Sequence, residues 1–260
     1  MMEWGFTLAG LLVGIIIGLT GIGGGSLMTP IALLFFGVAP GVAIGTNLWF
    51  ATATKVVGSL QVHVLGAVDW QVVRRLWLGS LPACVIVILF LRDTSSALHN
   101  DKTLMFALGV ALLLAALAML LKNFLHRFGT SQRLQTPTAF KRIQPVLTVL
   151  AGAFIGVFVT LTSVGAGTLC AAMLIYLYPL RMQPNTLVGT DIVHAVPLTL
   201  LAGFGHFTLG HTDFGMLGYQ LLGSIPGILV GARLAHRLPD ALVRTGISVM
   251  LVLVALKFVI

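Results

Sequence analysis

The sequence predicts an all-α polytopic membrane protein made of two inverted repeats of about five membrane elements each, with broken or re-entrant helices at its Gly-rich motifs. Three observations predict it. Hydrophobic residues fill 58% of the 260 positions and charged residues only 8%, with mean hydropathy +1.04, whereas soluble domains carry about 25% charged residues. Apolar runs of spanning length recur along the chain. The two sides of a central basic stretch align with one another.

Runs compatible with spans of about 20 residues cover 6–22, 42–65, 70–91, 104–121, 146–164, 186–209, 214–234 and 241–260. The first lacks a basic leader region and feeds directly into further apolar sequence, so it is read as the first helix and not as a cleaved signal peptide. Two runs, 27–38 and 169–178, are too short to cross unaided. Each follows a Gly-rich break, and lipid tolerates such open backbone only where protein or a water-filled cavity covers it. Thirty glycines suit close helix packing in a bilayer.

Residues 122–145 differ from the rest: Lys122, Arg127, Arg133, Lys141 and Arg142 lie among Ser, Thr, Gln and two prolines. This reads as a soluble, cytoplasmic linker between a first transmembrane repeat, 1–121, and a second, 146–260. Gly10, Gly14, Leu19, Thr20, Gly23 and Gly25 recur 142 positions later as Gly152, Gly156, Leu161, Thr162, Gly165 and Gly167. Beyond the short run the offset is 144, pairing Pro40, Gly45, Thr46, Ala51, Asp69, Gly79, Ser80 and Pro82 with Pro184, Gly189, Thr190, Ala195, Asp213, Gly223, Ser224 and Pro226.

An odd number of elements per half makes the second half enter from the opposite side. With the linker inside, Arg74, Arg75, Arg181, Arg233, Arg237 and Arg244 also fall inside, and only Arg92, Lys102 and Lys257 fall outside. That is the positive-inside bias, and it places both termini outside. The net charge of +8 is accounted for in the same way; no basic face with interleaved aromatics marks a nucleic-acid binder.

Chemistry concentrates in four places. Residues 19–26, Leu-Thr-Gly-Ile-Gly-Gly-Gly-Ser, and 161–168, Leu-Thr-Ser-Val-Gly-Ala-Gly-Thr, expose backbone N–H groups ahead of a helix N-terminus, the arrangement of an anion cradle. Its candidate residues are Gly23, Gly24, Gly25 and Ser26 with Gly165, Gly167 and Thr168. The alternative, close helix crossing at small residues, suits Gly10, Gly14 and Gly18 better. Neither stretch carries the Gly-Lys-Ser/Thr of a P-loop or follows a strand as a dinucleotide fingerprint does.

Gly45-Thr46-Asn47 and Gly189-Thr190-Asp191 lie near the start of long apolar runs in repeat-related positions. Inverted symmetry brings Asn47, Thr190 and Asp191 toward the midplane, either to line a substrate site or to hydrogen-bond across the pseudo-axis. A carboxylate there costs about 2.5–3.5 kcal/mol on insertion scales and is a functional candidate by default. Lys55 is basic and near the centre of its run, placed to meet an anion or to neutralise Asp191. His194, three residues after Asp191, shares its helix face, and the two are proton-coupling candidates.

Other chemistry is not supported. Cys84 and Cys170 form neither a disulfide framework nor a C-x-x-C pattern, the histidines lack metal-site spacing, and no metal or cofactor is expected. Ser26 and Ser163 raise an intramembrane hydrolase as a rival, without a Gly-x-Ser-x-Gly elbow. A non-transporting membrane assembly factor is a second rival. Trp4, Trp70 and Trp77 near run ends read as an interfacial belt.

The break Gly21-Ile-Gly-Gly-Gly-Ser followed by Pro30, then Pro40 and Gly45-Thr46-Asn47, repeated in weaker form after a basic loop, resembles the TauE/SafE family of sulfite and organosulfonate exporters. The resemblance covers about residues 10–257. It implies a carrier in the cytoplasmic (inner) membrane that moves small sulfur-containing anions such as sulfite, thiosulfate or organosulfonates, driven by membrane potential, a proton gradient or both. The expected partners are that anion and the lipid bilayer, with a homo-oligomer open. In the second half, Gly-Ala-Gly and Thr-Asp replace the fuller Gly run and Thr-Asn.

Overall fold

Pro and Gly punctuate the apolar runs, and the helices begin and end at that punctuation. A computed structural model describes residues 2–20, 25–61, 68–93, 101–121, 124, 137–234 and 240–259, with only helices as regular structure among them. The first half contributes α1 (Met2–Thr20), α2 (Gly25–Phe36), α3 (Pro40–Gln61), α4 (Trp70–Asp93) and α5 (Asp101–Leu120). The second contributes α6 (Pro137–Thr162), α7 (Thr168–Leu177), α8 (Pro184–Thr208), α9 (Phe214–Leu234) and α10 (Asp240–Val259).

Proline at the start of α3 and α8 takes the position where a missing N–H costs nothing and φ is already helical. Gly37 follows α2 with φ +62° and Gly210 follows α8 with φ +74°. These are left-handed helix ends that glycine adopts without a Cβ penalty.

Among the described residues, five helical stretches are long and apolar enough to cross a membrane: Glu3–Thr20, Trp70–Asp93, Lys141–Thr162, Pro184–Thr208 and Phe214–Leu234. The 12 residues of α2 and the 10 of α7 extend about 18 and 15 Å at 1.5 Å per residue, well short of a hydrocarbon core of about 30 Å. α3 has 22 residues but carries Thr46, Asn47, Thr52, Thr54 and Lys55, all buried. Its polar content therefore faces protein, which suits an interior helix.

Where the sequence reading has a linker over 122–145, α6 already begins at Pro137 and runs through Pro145. Lys141, Arg142 and Gln144 make this first stretch polar, which hides the helix start from a hydropathy reading. Residues 125–136 lie outside the described residues.

Two helix pairs carry the tightest packing. A Cβ on Gly10 or Gly14 of α1 would sit 2.2 Å from the Gln220 carbonyl oxygen or 2.4 Å from that of Ser224, on α9. A Cβ on Gly152 or Gly156 of α6 would sit 2.4 Å from the carbonyl oxygen of Leu76 or Ser80, on α4. These glycines are there because backbone meets backbone. Both contacts advance in step, so α1 runs parallel to α9 and α6 to α4. The partners correspond across the halves at the same 142 and 144 offsets found in the sequence.

Between these pairs, α3 and α8 cross antiparallel. Thr52 Oγ1 lies 2.8 Å from Thr199 Oγ1, and Trp49 Nε1 donates to the Gly203 carbonyl at 3.1 Å. One apolar core gathers around α1, α2, α5 and α10, with Val13, Met28, Leu108 and Leu251 fully enclosed. A second gathers around α4, α6, α7 and α8, with Leu76, Ile155, Leu174 and Leu198.

Candidate functional site

α3 and α8 place a small set of polar side chains inside an otherwise apolar bundle. Asn47, 1% exposed, donates from Nδ2 to Thr29 Oγ1 at 2.5 Å and to Ser163 Oγ at 2.9 Å. Thr29 is one turn into α2, and Ser163 is the first residue of the break between α6 and α7. Asn47 therefore ties the short helix of the first half to the Gly-rich break of the second.

The second break is built from unusual backbone. Ser163 has φ +60° and Gly165 φ +100°, left-handed values that glycine accepts freely and serine does not. α7 then opens at Gly167 with no side-chain cap; the Cys170 N–H of its first turn reaches back to the Gly165 carbonyl at 3.3 Å, while the N–H groups of Thr168 and Leu169 have no intrahelical acceptor. Thr168, 6% exposed, is the first residue of that helix, and its Oγ1 has no hydrogen-bond partner.

Two turns along α3 from Asn47, Lys55 Nζ meets Asp191 Oδ2 at 2.5 Å. Lys55 and Asp191 are each 4% exposed. The pair answers the cost of both charges, since a buried ion survives in a bilayer only when matched. Asp191 Oδ1, however, has no partner, so the carboxylate keeps one acceptor site open.

Asn47 and Asp191 do not pair with each other, as repeat symmetry alone suggests; each takes a partner from elsewhere. Nor do Asp191 and His194 form a direct relay. His194, fully buried, has Ser80 Oγ 3.0 Å from Nε2 and Cys170 Sγ 3.7 Å from Nδ1. Its contacts join α4, α7 and α8.

Thr190, next to Asp191 and fully buried, accepts at Oγ1 from the Asp69 backbone N–H at 3.1 Å. The repeat-related Thr46 Oγ1 accepts from the Asp213 N–H at 2.9 Å. Asp69 and Asp213 in turn accept at Oδ1 from the first-turn N–H groups of Val72 and Met216, capping α4 and α9. Both threonines thus anchor helix starts. The signal was present in the sequence, since Asp69 and Asp213 align in the repeat.

Gly23 and Gly24 lie outside the described residues, and Gly25 with Ser26 opens α2. Among the described residues no cluster of three or more His, Cys, Asp or Glu side chains could hold a metal ion. Of the two serines of the hydrolase reading, Ser163 receives a hydrogen bond from Asn47, an amide that cannot act as a base, and the Ser26 side chain lies outside what the structure describes.

The family model described as sulfite exporter TauE/SafE matches residues 6–258. The chain belongs to the TauE/SafE family. Among its relatives, the probable membrane transporter protein YjnA of Bacillus subtilis (strain 168) is 37% identical over 238 residues, 91% of each chain. The probable membrane transporter protein YdhB of the same organism is 25% identical over 236 residues, again 91% of each. No solved structure matches the chain. As a TauE/SafE protein it is a multi-pass membrane transporter and not an enzyme, and its buried Lys55–Asp191 pair lies within a transporter's helical bundle.

Proposed function

We propose that this transporter is a secondary carrier that exports small sulfur-containing anions such as sulfite, thiosulfate or organosulfonates across the cytoplasmic membrane. The observation that carries the reading is the Asn47 tie, which draws the α2 segment and the second Gly-rich break to one place. Backbone N–H groups at the break and the N-terminal end of α7 offer partial positive charge. Lys55 offers the full charge that a desolvated anion needs. The substrate site is drawn from Gly165, Gly167 and Thr168 of the second break, with Asn47, Lys55 and Asp191 around it, and from Gly23, Gly24, Gly25 and Ser26 by the sequence repeat alone. Thr190 accepts the Asp69 N–H and keeps its hydroxyl hydrogen to donate, so it stays among the proposed ligands.

The orientation is that of inverted repeats with the basic linker in the cytoplasm. Three side-chain contacts support it. Trp77 Nε1 donates to the His194 carbonyl at 3.2 Å, Arg75 Nη1 to Tyr178 Oη at 3.2 Å and Arg181 Nη1 to Gln71 Oε1 at 3.2 Å. These align α4 with α8, so α4, α6 and α8 start at one face, where Arg74, Arg75, Lys141, Arg142 and Arg181 sit. α3 and α9 start at the other face, free of Lys and Arg in their first turns. Such asymmetry marks the cytoplasmic side.

Export needs no ATP. An anion leaving a cell that is negative inside gains about 2.3 kcal/mol per charge per 100 mV. Protonation of Asp191 would add coupling to the proton gradient by removing a charge that repels the substrate and by releasing Lys55.

The test is a binding screen by thermal shift with sulfite, thiosulfate, sulfoacetate, taurine and carboxylate anions, since a ligand raises the stability only of the state it binds. A shift with a sulfur anion, followed by its flux in liposomes, is the expected result. A flat response to every sulfur anion overturns the reading, and binding without flux favours an assembly role.

A further inference from the structure

One polar group in the bundle is used neither by the Asn47 tie nor by the ion pair. Gln220 and Ser224 lie one turn apart on α9, and both are fully buried where α9 packs on α1 and α3. Gln220 Nε2, Gln220 Oε1 and Ser224 Oγ have no hydrogen-bond partner. An amide and a hydroxyl left in that state destabilise a fold, and buried polar groups are almost always paired.

Comparison of the halves sharpens the point. The residues 144 positions earlier are Leu76 and Ser80 on α4. Ser80 is satisfied by His194, whose own counterpart in the first half is Phe50, fully buried and without a polar side-chain atom. Ser224 therefore faces a half that supplies it nothing. Gln220 replaces a leucine with an amide on this same face. Packing does not explain the exchange, because Leu76 fills the equivalent place with an apolar side chain that belongs to the core.

We infer that Gln220 and Ser224 form a subsite for a small oxyanion that carries one proton. The donor set fits such a species and not a fully ionised one. Two amide hydrogens on Nε2 and one hydroxyl hydrogen on Ser224 suit bare oxyanion oxygens, and Oε1 needs a donor, which the anion's own hydroxyl supplies. A sulfonate has no such hydroxyl and would leave Oε1 unpaired. Phe50 lies on the same helix as Asn47, one turn away, and the helix of Gln220 and Ser224 packs on that helix, so the proposal sets the subsite beside the proposed substrate region on the first-half side. The inference deepens the proposed function and rests on it: it makes the monoprotonated form, such as hydrogen sulfite, the preferred cargo over organosulfonates.

The experiment measures binding of sulfite, methanesulfonate and inorganic phosphate to the full-length transporter and to Gln220→Leu and Ser224→Ala. Gln220→Leu installs the residue of the equivalent α4 position, and Ser224→Ala removes one oxygen, so at least one is expected to fold; thermal unfolding checks both. Sulfite affinity should fall about tenfold, or about 1.4 kcal/mol, in Gln220→Leu, with a smaller loss for methanesulfonate. Unchanged binding in both variants, or equal losses for the two anions, overturns the subsite and leaves these groups to structural water. If the unaltered protein binds phosphate but not sulfite and Gln220→Leu weakens it, the sulfur reading falls while the subsite stands. Binding of none of the three overturns both.

Discussion

Lys55 Nζ and Asp191 Oδ2 lie 2.5 Å apart, 136 residues distant in sequence, and join the central helices of the two halves. Neither half could hold its charge alone in lipid. The pair sets one charge against the other inside the bundle.

Lys55→Met should abolish anion binding and leave Asp191 buried without a counter-charge. Breaking a buried pair from one side costs about 3–5 kcal/mol. The double variant Lys55→Met with Asp191→Asn should recover most of that stability and none of the binding. Thermal unfolding and sulfite titration of the two variants separate these effects; restored binding in the double variant would make the pair purely structural.

Asp191→Asn carries the residue that Asn47 already supplies in the first half. It should retain anion binding, because Lys55 is then unneutralised. Sulfite titration checks it: binding lost in Asp191→Asn would show that the site needs the carboxylate and not only the Lys55 charge.

The glycine crossings set a stability prediction. Gly14→Ala and Gly156→Ala each push a methyl to 2.4 Å from a carbonyl oxygen, and overpacking of this kind costs about 1–3 kcal/mol. Gly218→Ala, with nothing within 4 Å of the added carbon, should be neutral or stabilising by about 0.5–1 kcal/mol through helix propensity. Melting temperatures that fall equally in all three would remove the crossing from the explanation.

Topology is open to labelling. Single cysteines at Ser131 and Ile260, in a background lacking Cys84 and Cys170, should react with membrane-impermeant reagents from opposite sides. Modification of both from one side of intact cells would exclude the inverted arrangement.

Much of this was legible from periodicity and repetition. Among the described residues the helices overlap the apolar runs read from the sequence because lipid demands long apolar stretches and Gly or Pro must mark their ends. Lys55 and Asp191 stood out because charge inside such runs is costly. Their partners were less visible. Thr29, Ser80 and Cys170 look like packing residues along their own helices, and become polar contacts only when a helix from the other half crosses them. The unpaired amide of Gln220 is invisible for the same reason: burial and lack of a partner are properties of the assembled bundle. The start of α6 was missed because its first turns are polar.

The crossing of α1 with α9, and of α6 with α4, also constrains biogenesis. Each half lends its opening helix to the other half, so neither closes on itself. The Gly-lined flank of α1 leaves the ribosome some 200 residues ahead of α9 and must wait, shielded by lipid or by the insertion machinery, until nearly the whole chain is in the bilayer. The fragments 1–121 and 137–260 made separately would each expose backbone-deep grooves that only the other can fill. Severing the linker should therefore be survivable for the transporter, whereas omitting either half should not.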